Sequence, residues 1–128
     1  TNHYFDFYMD NGGQITHANR NGAGAANVTL CDTALSANIW YHLVLTGNGT
    51  TNYIYVNGEL QADSNSSGTN GGEWFESVDN RENISIGALK YNGDISGVMN
   101  GFISEVAVYN TALTASQPLT ERLRIACL

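Results

Sequence analysis

The side chains best suited to bind a ligand are aromatic and amide groups beside glycine. Trp74 follows the sequence Gly-Gly-Glu, and Tyr91 and Asn92 precede Gly93. An exposed aromatic ring can stack on a sugar, while neighbouring polar groups fix the orientation of its hydroxyls. This pattern predicts a carbohydrate site containing Trp74, Tyr91 and Asn92. Two alternatives stay open: Trp74 or Phe75 folds a long loop over a hydrophobic edge, or Trp74 anchors a protein interface.

A second possible site would bind a hard cation through loop oxygens. Asp10 and Asn11 adjoin one another, and Asp94 lies in a glycine-bracketed loop. Calcium prefers carboxylate, amide and carbonyl oxygens supplied by loops. The sequence therefore predicts Asp10, Asn11 and Asp94 as calcium ligands. The alternative is that these residues simply favour turns, because their side chains hydrogen-bond to nearby backbone groups.

Catalytic patterns are weak. The nearest approach to a carboxylate pair is Glu76 and Asp79, whose spacing of three would place them on opposite faces of a strand. Glycoside hydrolysis needs two carboxylates that face one bond. The chain also contains no Gly-x-Ser-x-Gly elbow, phosphate loop or His-Glu-x-x-His motif. We therefore predict no catalytic residues and a protein that is not an enzyme.

The charge balance disfavours anionic partners. The 128 residues carry a net charge of −7, and the five basic residues form no cluster. A nucleic-acid binder needs clustered cations to displace counterions from phosphates. No apolar run approaches the roughly 20 residues that a membrane-spanning helix requires. We expect neither nucleic-acid binding nor membrane insertion.

Alternating and β-branched stretches separated by turn residues predict many short strands. Residues 3–10 alternate between two faces and lead into the turn residues 11–13, and Asn57-Gly58 is a strong hairpin signal. Further strands are predicted over 39–46, 83–89 and 98–109. One helix is predicted near Thr114 or Ser116, with Pro118 in its first turn. This pattern is typical of an all-β sandwich or barrel.

Four blocks carry a resemblance to a known family. They occupy residues 40–44 (Trp-Tyr-His-Leu-Val), 53–58 (Tyr-Ile-Tyr-Val-Asn-Gly), 84–87 (Ile-Ser-Ile-Gly) and 101–113, which begins Gly-Phe-Ile-Ser-Glu-Val. Their order and spacing resemble the laminin-G-like family of concanavalin A-type jelly rolls. The resemblance implies an antiparallel two-sheet jelly-roll sandwich with Trp40 in its core. One departure is Ser104, which stands where family members often carry an acidic residue; this weakens a calcium role at that position.

The resemblance also implies a domain organisation. Residues 1–128 correspond to a single laminin-G-like domain lacking N-terminal strands of the family. We therefore expect the C-terminal part of a larger protein, or a domain completed by neighbouring subunits. In a jelly roll the chain ends often lie near early strands, so a disulfide between Cys31 and Cys127 is expected in an extracellular setting. The alternative is two buried thiols.

The function implied is that of a non-catalytic binding module. The expected location is extracellular, at a cell surface or virion surface, and the expected ligand is a glycan or a protein. Carbohydrate recognition or adhesion is the first interpretation. A structural or assembly domain of a surface appendage, surface layer or virion is the alternative. A laminarinase-type glycoside hydrolase is the least favoured, because the spacing of Glu76 and Asp79 would place them on opposite faces of a strand.

Overall fold

The computed structural model describes residues 2–80, 84–91, 94–114 and 116–117. These residues form nine strands and a single-turn 3₁₀ helix, and every strand pair is antiparallel. The predicted all-β, antiparallel architecture is confirmed. The elements are β1 (Asn2–Met9), β2 (Gln14–Gly22), β3 (Asn27–Ala34), β4 (Leu43–Gly47), β5 (Asn52–Val56), β6 (Glu59–Leu60), β7 (Asp63–Ser67), the 3₁₀ helix (Phe75–Ser77), β8 (Leu89–Tyr91) and β9 (Asp94–Ser96).

The first sheet has the strand order β1-β2-β3-β7. β1 and β2 pair along their whole facing length, with Met9 opposite Ile15 beside the turn. The Asp10 carboxylate closes this turn by accepting hydrogen bonds from the backbone N–H groups of Gly12 at 2.8 Å and Gln14 at 2.9 Å. The predicted hairpin turn at residues 11–13 is confirmed.

The second sheet has the order β4-β5-β6. Its β5–β6 turn consists of Asn57 and Gly58, whose φ angles are 53° and 83°. Positive φ at both central residues matches the right-handed twist of the strands that enter and leave a two-residue hairpin. The Asn57-Gly58 prediction is therefore confirmed. β8 and β9 pair antiparallel as a separate two-stranded sheet.

The core lies between the first and second sheets. Ile15 and Cys31 from the first sheet pack with Ile54 and Val56 from the second. Partly buried side chains surround this cluster: Leu35, Tyr41, Leu43 and Leu45. Removing each large aliphatic side chain from water contributes about 1.5–3 kcal/mol. Apolar contact between the two sheets is what makes the fold a sandwich.

The prediction that Trp40 fills the core is wrong. The strand expected over residues 39–46 begins at Leu43, and the Trp40 side chain is 67% exposed. Asn38 adopts a left-handed φ of 62°, which turns the chain before Trp40 instead of continuing an extended strand. Backbone pairing resumes where Asn57 N–H donates to the His42 carbonyl at 2.8 Å.

The strand predicted over residues 98–109 forms no ladder with any described residue. Glu105 has a left-handed φ of 54° in the middle of this segment, and that conformation interrupts an extended backbone. Similarly, Gly87 with φ of 79° precedes β8, and of the strand expected over 83–89 only Leu89 belongs to a strand among the described residues; Asn83 lies outside them. Of the predicted helix, Gln117 N–H donates to the Thr114 carbonyl at 2.9 Å; Pro118 lies outside the described residues.

Candidate functional site

Four rings form a cluster on the first sheet. The centroid of Phe5 lies 5.1 Å from Trp74, 4.4 Å from Phe75 and 4.6 Å from the His17 imidazole. Trp74 and Phe75 also contact each other, at 5.1 Å. Such tilted and edge-on contacts are favourable aromatic geometries. The cluster fits the alternative in which Trp74 and Phe75 fold the loop back over the sheet, and we call residues 69–77 the aromatic strap.

A chain of side-chain hydrogen bonds attaches the strap to the sheet. The Asn27 Nδ2 group donates to Glu73 Oε1 at 3.1 Å and to Asn19 Oδ1 at 3.3 Å. Asn27 Oδ1 accepts from Thr69 N–H at 3.1 Å. Gly71 N–H donates to the second Glu73 oxygen at 3.2 Å. Glu73 therefore acts in this structure as a structural acceptor beside Trp74.

His17 lies where the ring cluster meets this chain. Its side chain is 1% exposed. Nδ1 lies 3.0 Å from the Asp6 carbonyl and Nε2 lies 3.3 Å from Asn19 Nδ2. A carbonyl can only accept, so Nδ1 carries the proton and Nε2 accepts from Asn19. Burial lowers the pKa of His17 from 6.5, because it disfavours the imidazolium; the Asp6 carbonyl and the Glu73 charge act in the opposite direction.

Beyond the small core, a wide cleft separates the described segments. Trp40, Trp74 and Phe102 are among the residues that line it. The cleft is open and is lined by residues from most of the described segments, so it is not an enclosed pocket for a small molecule.

The predicted calcium ligands do not converge in the described structure. Asp10 and Asn11 line a hollow of about 330 Å³ at the β1–β2 turn, whereas Asp94 is exposed at the start of β9 and does not line that hollow. The Asp10 carboxylate already accepts the two turn hydrogen bonds. Among the described residues, no group of three or more His, Cys, Asp or Glu side chains is placed to hold a metal. Calcium binding stays a prediction.

The predicted sugar site is described only in part. Trp74 is half-buried in the ring cluster, the backbone of Tyr91 belongs to β8, and Asn92 lies outside the described residues. A carbohydrate site of Trp74, Tyr91 and Asn92 therefore stays a prediction. The sequence did not predict that His17, Asn19 and Asn27 lie beside the strap. No local pattern marked them, because Asn27 and Glu73 are 46 positions apart.

The predicted disulfide is also untested. Cys31 is buried, and none of the described residues forms a disulfide with it. Its sulfur lies 3.5 Å from the Thr33 carbonyl and 3.7 Å from Gln61 Oε1. Cys127 lies outside the described residues, so its pairing with Cys31 stays a prediction.

Comparison with known proteins gives a family match. The model of a laminin-G family described as the concanavalin A-like lectin/glucanases superfamily matches residues 1–117. No curated protein matches the chain. None of the helices formed by the described residues is long and apolar enough to cross a membrane.

One solved structure is similar: residues 221–444 of an S-layer domain-containing protein from Clostridium thermocellum ATCC 27405. The identity is 21% and the TM-score is 0.48; the match covers 86% of this chain and 52% of the other. The chain thus spans about half the length of that structure.

Proposed function

The chain belongs to the concanavalin A-like lectin/glucanases superfamily, and on that premise we propose that it is a non-catalytic extracellular module that binds polypeptide in a surface assembly. The observation that carries this proposal is the large apolar surface around the cleft. Among the lining side chains, Ile84 is 91%, Phe102 is 83% and Val108 is 67% exposed. Extensive exposed apolar surface on a soluble protein often marks an interaction site.

The proposed partners are neighbouring subunits or another segment of the same protein. The segment that carries Phe102 and Val108 has the residue types of a strand but no ladder with described residues. Unpaired backbone groups and apolar side chains together favour pairing with another polypeptide. Apolar burial, rather than charge, would supply most of the stabilisation, because basic residues are few.

The absence of catalysis is part of the proposal. Glu76 lines the cleft, whereas Asp79 does not line it. The Asp79 carboxylate instead accepts a hydrogen bond from Asn21 Nδ2 at 3.1 Å. Two carboxylates that act on one glycosidic bond must face the same cleft. We therefore expect no cleavage of β-glucans; hydrolysis abolished by Glu76→Gln would overturn this part of the proposal.

Carbohydrate recognition is the second candidate. Trp40 and Trp74 both line the cleft, and the ring of Trp40 is well exposed. An exposed ring beside polar loop residues could stack on an extended glycan. A glycan array with the wild-type chain, Trp74→Ala and Trp40→Ala tests this candidate. Binding lost in either variant would support it, and an array without binding would leave the polypeptide proposal favoured.

Sedimentation analysis over a range of protein concentrations tests the first candidate. We expect the 128-residue chain to self-associate, or to bind a longer form of the same protein, and Phe102→Ser with Val108→Ser to abolish association. Leu60→Ser is the matched control, because Leu60 is an exposed apolar residue outside the cleft. A monodisperse monomer that melts cooperatively and binds no longer form would refute the proposal.

A further inference from the structure

β1 presents two rows of side chains to different surroundings. Successive side chains of a strand point to opposite faces of a sheet. Phe5 contacts the aromatic strap, so the side chains one position before and after it face away from the strap, as does the next one in the same row. This second row lines the wide cleft, and we call it the tyrosine row: Tyr4, Asp6 and Tyr8.

Asp6 is a carboxylate without a partner in this row. Its side chain is half-buried, and it accepts no hydrogen bond from the described residues and pairs with no cation among them. Arg20 lies opposite Tyr4 in the ladder but donates its Nε–H to the Gly22 carbonyl, at 3.2 Å. Burial raises the pKa of Asp6, because it disfavours the charged form. The row thus holds a partly desolvated negative charge that no described cation neutralises.

The Tyr8 ring lies in the field of this charge. Residues two positions apart on a strand are separated by about 6.6 Å, so Tyr8 is the next side chain beyond Asp6 on the same face. Burial raises the pKa of Tyr8, and the neighbouring Asp6, Tyr4 and Asp10 raise it further. The side chain of Tyr8 is nevertheless 43% exposed. An accessible ring in a negative field is suited to a cationic ligand, which is attracted to both the ring and the carboxylate.

A second oxygen on this face is also unsatisfied. Thr16 pairs directly with Tyr8 in the ladder of β1 and β2, so the two side chains share a face. Thr16 is 1% exposed, and its Oγ1 has no hydrogen-bond partner among the described residues. Buried polar groups are normally paired, and an exception requires an explanation. Two unsatisfied oxygens on one face indicate a ligand that donates several hydrogen bonds.

We propose that the tyrosine row binds an arginine side chain of the polypeptide partner, with the guanidinium paired to the Asp6 carboxylate and stacked on the Tyr8 ring. A guanidinium is planar, stacks on aromatic rings and carries five donors in a fork that matches a carboxylate. One carboxylate does not use all five donors. An N–H group therefore remains for Thr16 Oγ1 once the exposed Tyr8 ring shifts onto the ligand.

This inference deepens the proposed function, because it names a chemical feature of the polypeptide partner. The tyrosine row lines the same cleft as the exposed Phe102 and Val108, so one partner can contact both surfaces. Apolar burial would supply most of the stabilisation. The unneutralised Asp6 would select a partner that carries arginine, because charge complementarity contributes specificity more than affinity.

A short peptide of alternating glycine and arginine tests the site, titrated into the 128-residue chain in a calorimeter at low ionic strength. We expect binding, and weaker binding of the matching lysine peptide, because an ammonium lacks the planar fork. Asp6→Asn should weaken the arginine complex about tenfold, through loss of a charge-assisted hydrogen bond. Glu59→Gln is the matched control: it removes an equal charge from an exposed residue outside the cleft, and the affinity should not change.

Absence of binding, equal binding of the two peptides, or equal losses in Asp6→Asn and Glu59→Gln would overturn the proposal. The last result would show that only net charge attracts the peptide. Tyr8→Ala should weaken binding about two- to fivefold, and more than Tyr8→Phe, which keeps the ring. A smaller effect of Tyr8→Ala than of Tyr8→Phe would contradict stacking.

Thermal unfolding of the free chain supplies an independent measurement. Asp6→Asn should raise the melting temperature, because it removes a partly desolvated, unpaired charge. A lower melting temperature would show that the carboxylate is satisfied within the fold, and would overturn the proposal. The association test above fails separately: a chain that self-associates but binds no arginine peptide would refute this inference alone, and a monomer that binds the peptide through Asp6 would refute self-association and support the arginine site.

Discussion

Asp10 gives the β1–β2 turn its shape through a single carboxylate. One oxygen accepts the N–H groups of both Gly12 and Gln14. Hydrogen bonds to a charged acceptor are stronger than neutral ones, although partial exposure weakens them. We expect Asp10→Ala to lower the free energy of unfolding by about 1–2 kcal/mol, measured by urea denaturation.

Asp10→Asn is the matched control, because an amide oxygen can accept the same two bonds; its loss should be smaller. An Asp10→Ala variant as stable as the wild type would contradict the turn role.

The wild-type protein and the Asp10→Asn variant also test the calcium prediction. A melting temperature that rises with calcium in the wild type but not in Asp10→Asn would indicate a cation on this carboxylate, and a calcium-independent wild type would exclude one.

At the residue scale, sequence reasoning identified side chains but not their partners. Trp74 was among the predicted site residues. The alternative prediction, that Trp74 folds the loop over a hydrophobic edge, agrees with the contact between Trp74 and Phe5. Sequence reasoning did not foresee the bond between Asn27 and Glu73, because two polar residues far apart in sequence carry no shared periodicity. The attachment of the strap to the sheet depends on such pairings and therefore emerges only from the structure.

At the element scale, hairpins were the most predictable features. Asn57 and Gly58 form their turn because both positions need a left-handed backbone, and this requirement is local. We expect Gly58→Ala to destabilise the protein by about 1–2 kcal/mol, since a Cβ is unfavourable at positive φ. Thermal unfolding would measure the change.

Gly24→Ala is the control for that substitution. A Cβ at Gly24 would meet no atom within 4 Å, and its φ is not in the left-handed range. The variant should be neutral or slightly stabilising, because alanine restricts the unfolded chain. Equal losses of stability in the two variants would show that the backbone conformation at Gly58 does not cause the destabilisation.

Longer strands were less predictable than turns. Residues 98–109 have strand-type composition, but a strand forms only when a neighbour satisfies its backbone groups and covers its apolar face. In the described structure Glu105 leaves the extended region, and Phe102 is largely exposed. The same dependence on neighbouring elements explains why Trp40 lies outside the core, although it was expected inside. Local pattern predicts the tendency, and the neighbouring element decides the result.

At the scale of the whole molecule, the described core is small relative to the apolar surface. The fully buried cluster between the two sheets contains Ile15, Cys31, Ile54 and Val56. Folding free energy is a small difference between large opposing contributions, so a small core leaves little excess stability. Association through the cleft would add apolar burial, and stability would then increase with protein concentration.

A covalent constraint would act at the same scale. A disulfide between Cys31 and Cys127 would close a loop of nearly a hundred residues. By restricting the unfolded chain, closure of such a loop would stabilise the folded protein by about 4–5 kcal/mol. Cys31 is 0% exposed and packs in the core, so a bridge there would fix the C-terminal segment to the centre of the sandwich. In an extracellular setting we expect the protein to contain this bridge.

Intact-mass measurement after alkylation in denaturant decides the question. Denaturant is required because the enclosed Cys31 sulfur would otherwise escape the reagent whether or not it is bridged. Without reductant we expect no alkylated thiol, and with reductant we expect both cysteines to be alkylated. Cys127→Ser is the control: it should expose one reactive thiol in denaturant and lower the melting temperature. Two alkylated thiols in the unreduced wild type would rule out the bridge, and Cys31 would then be a buried core thiol.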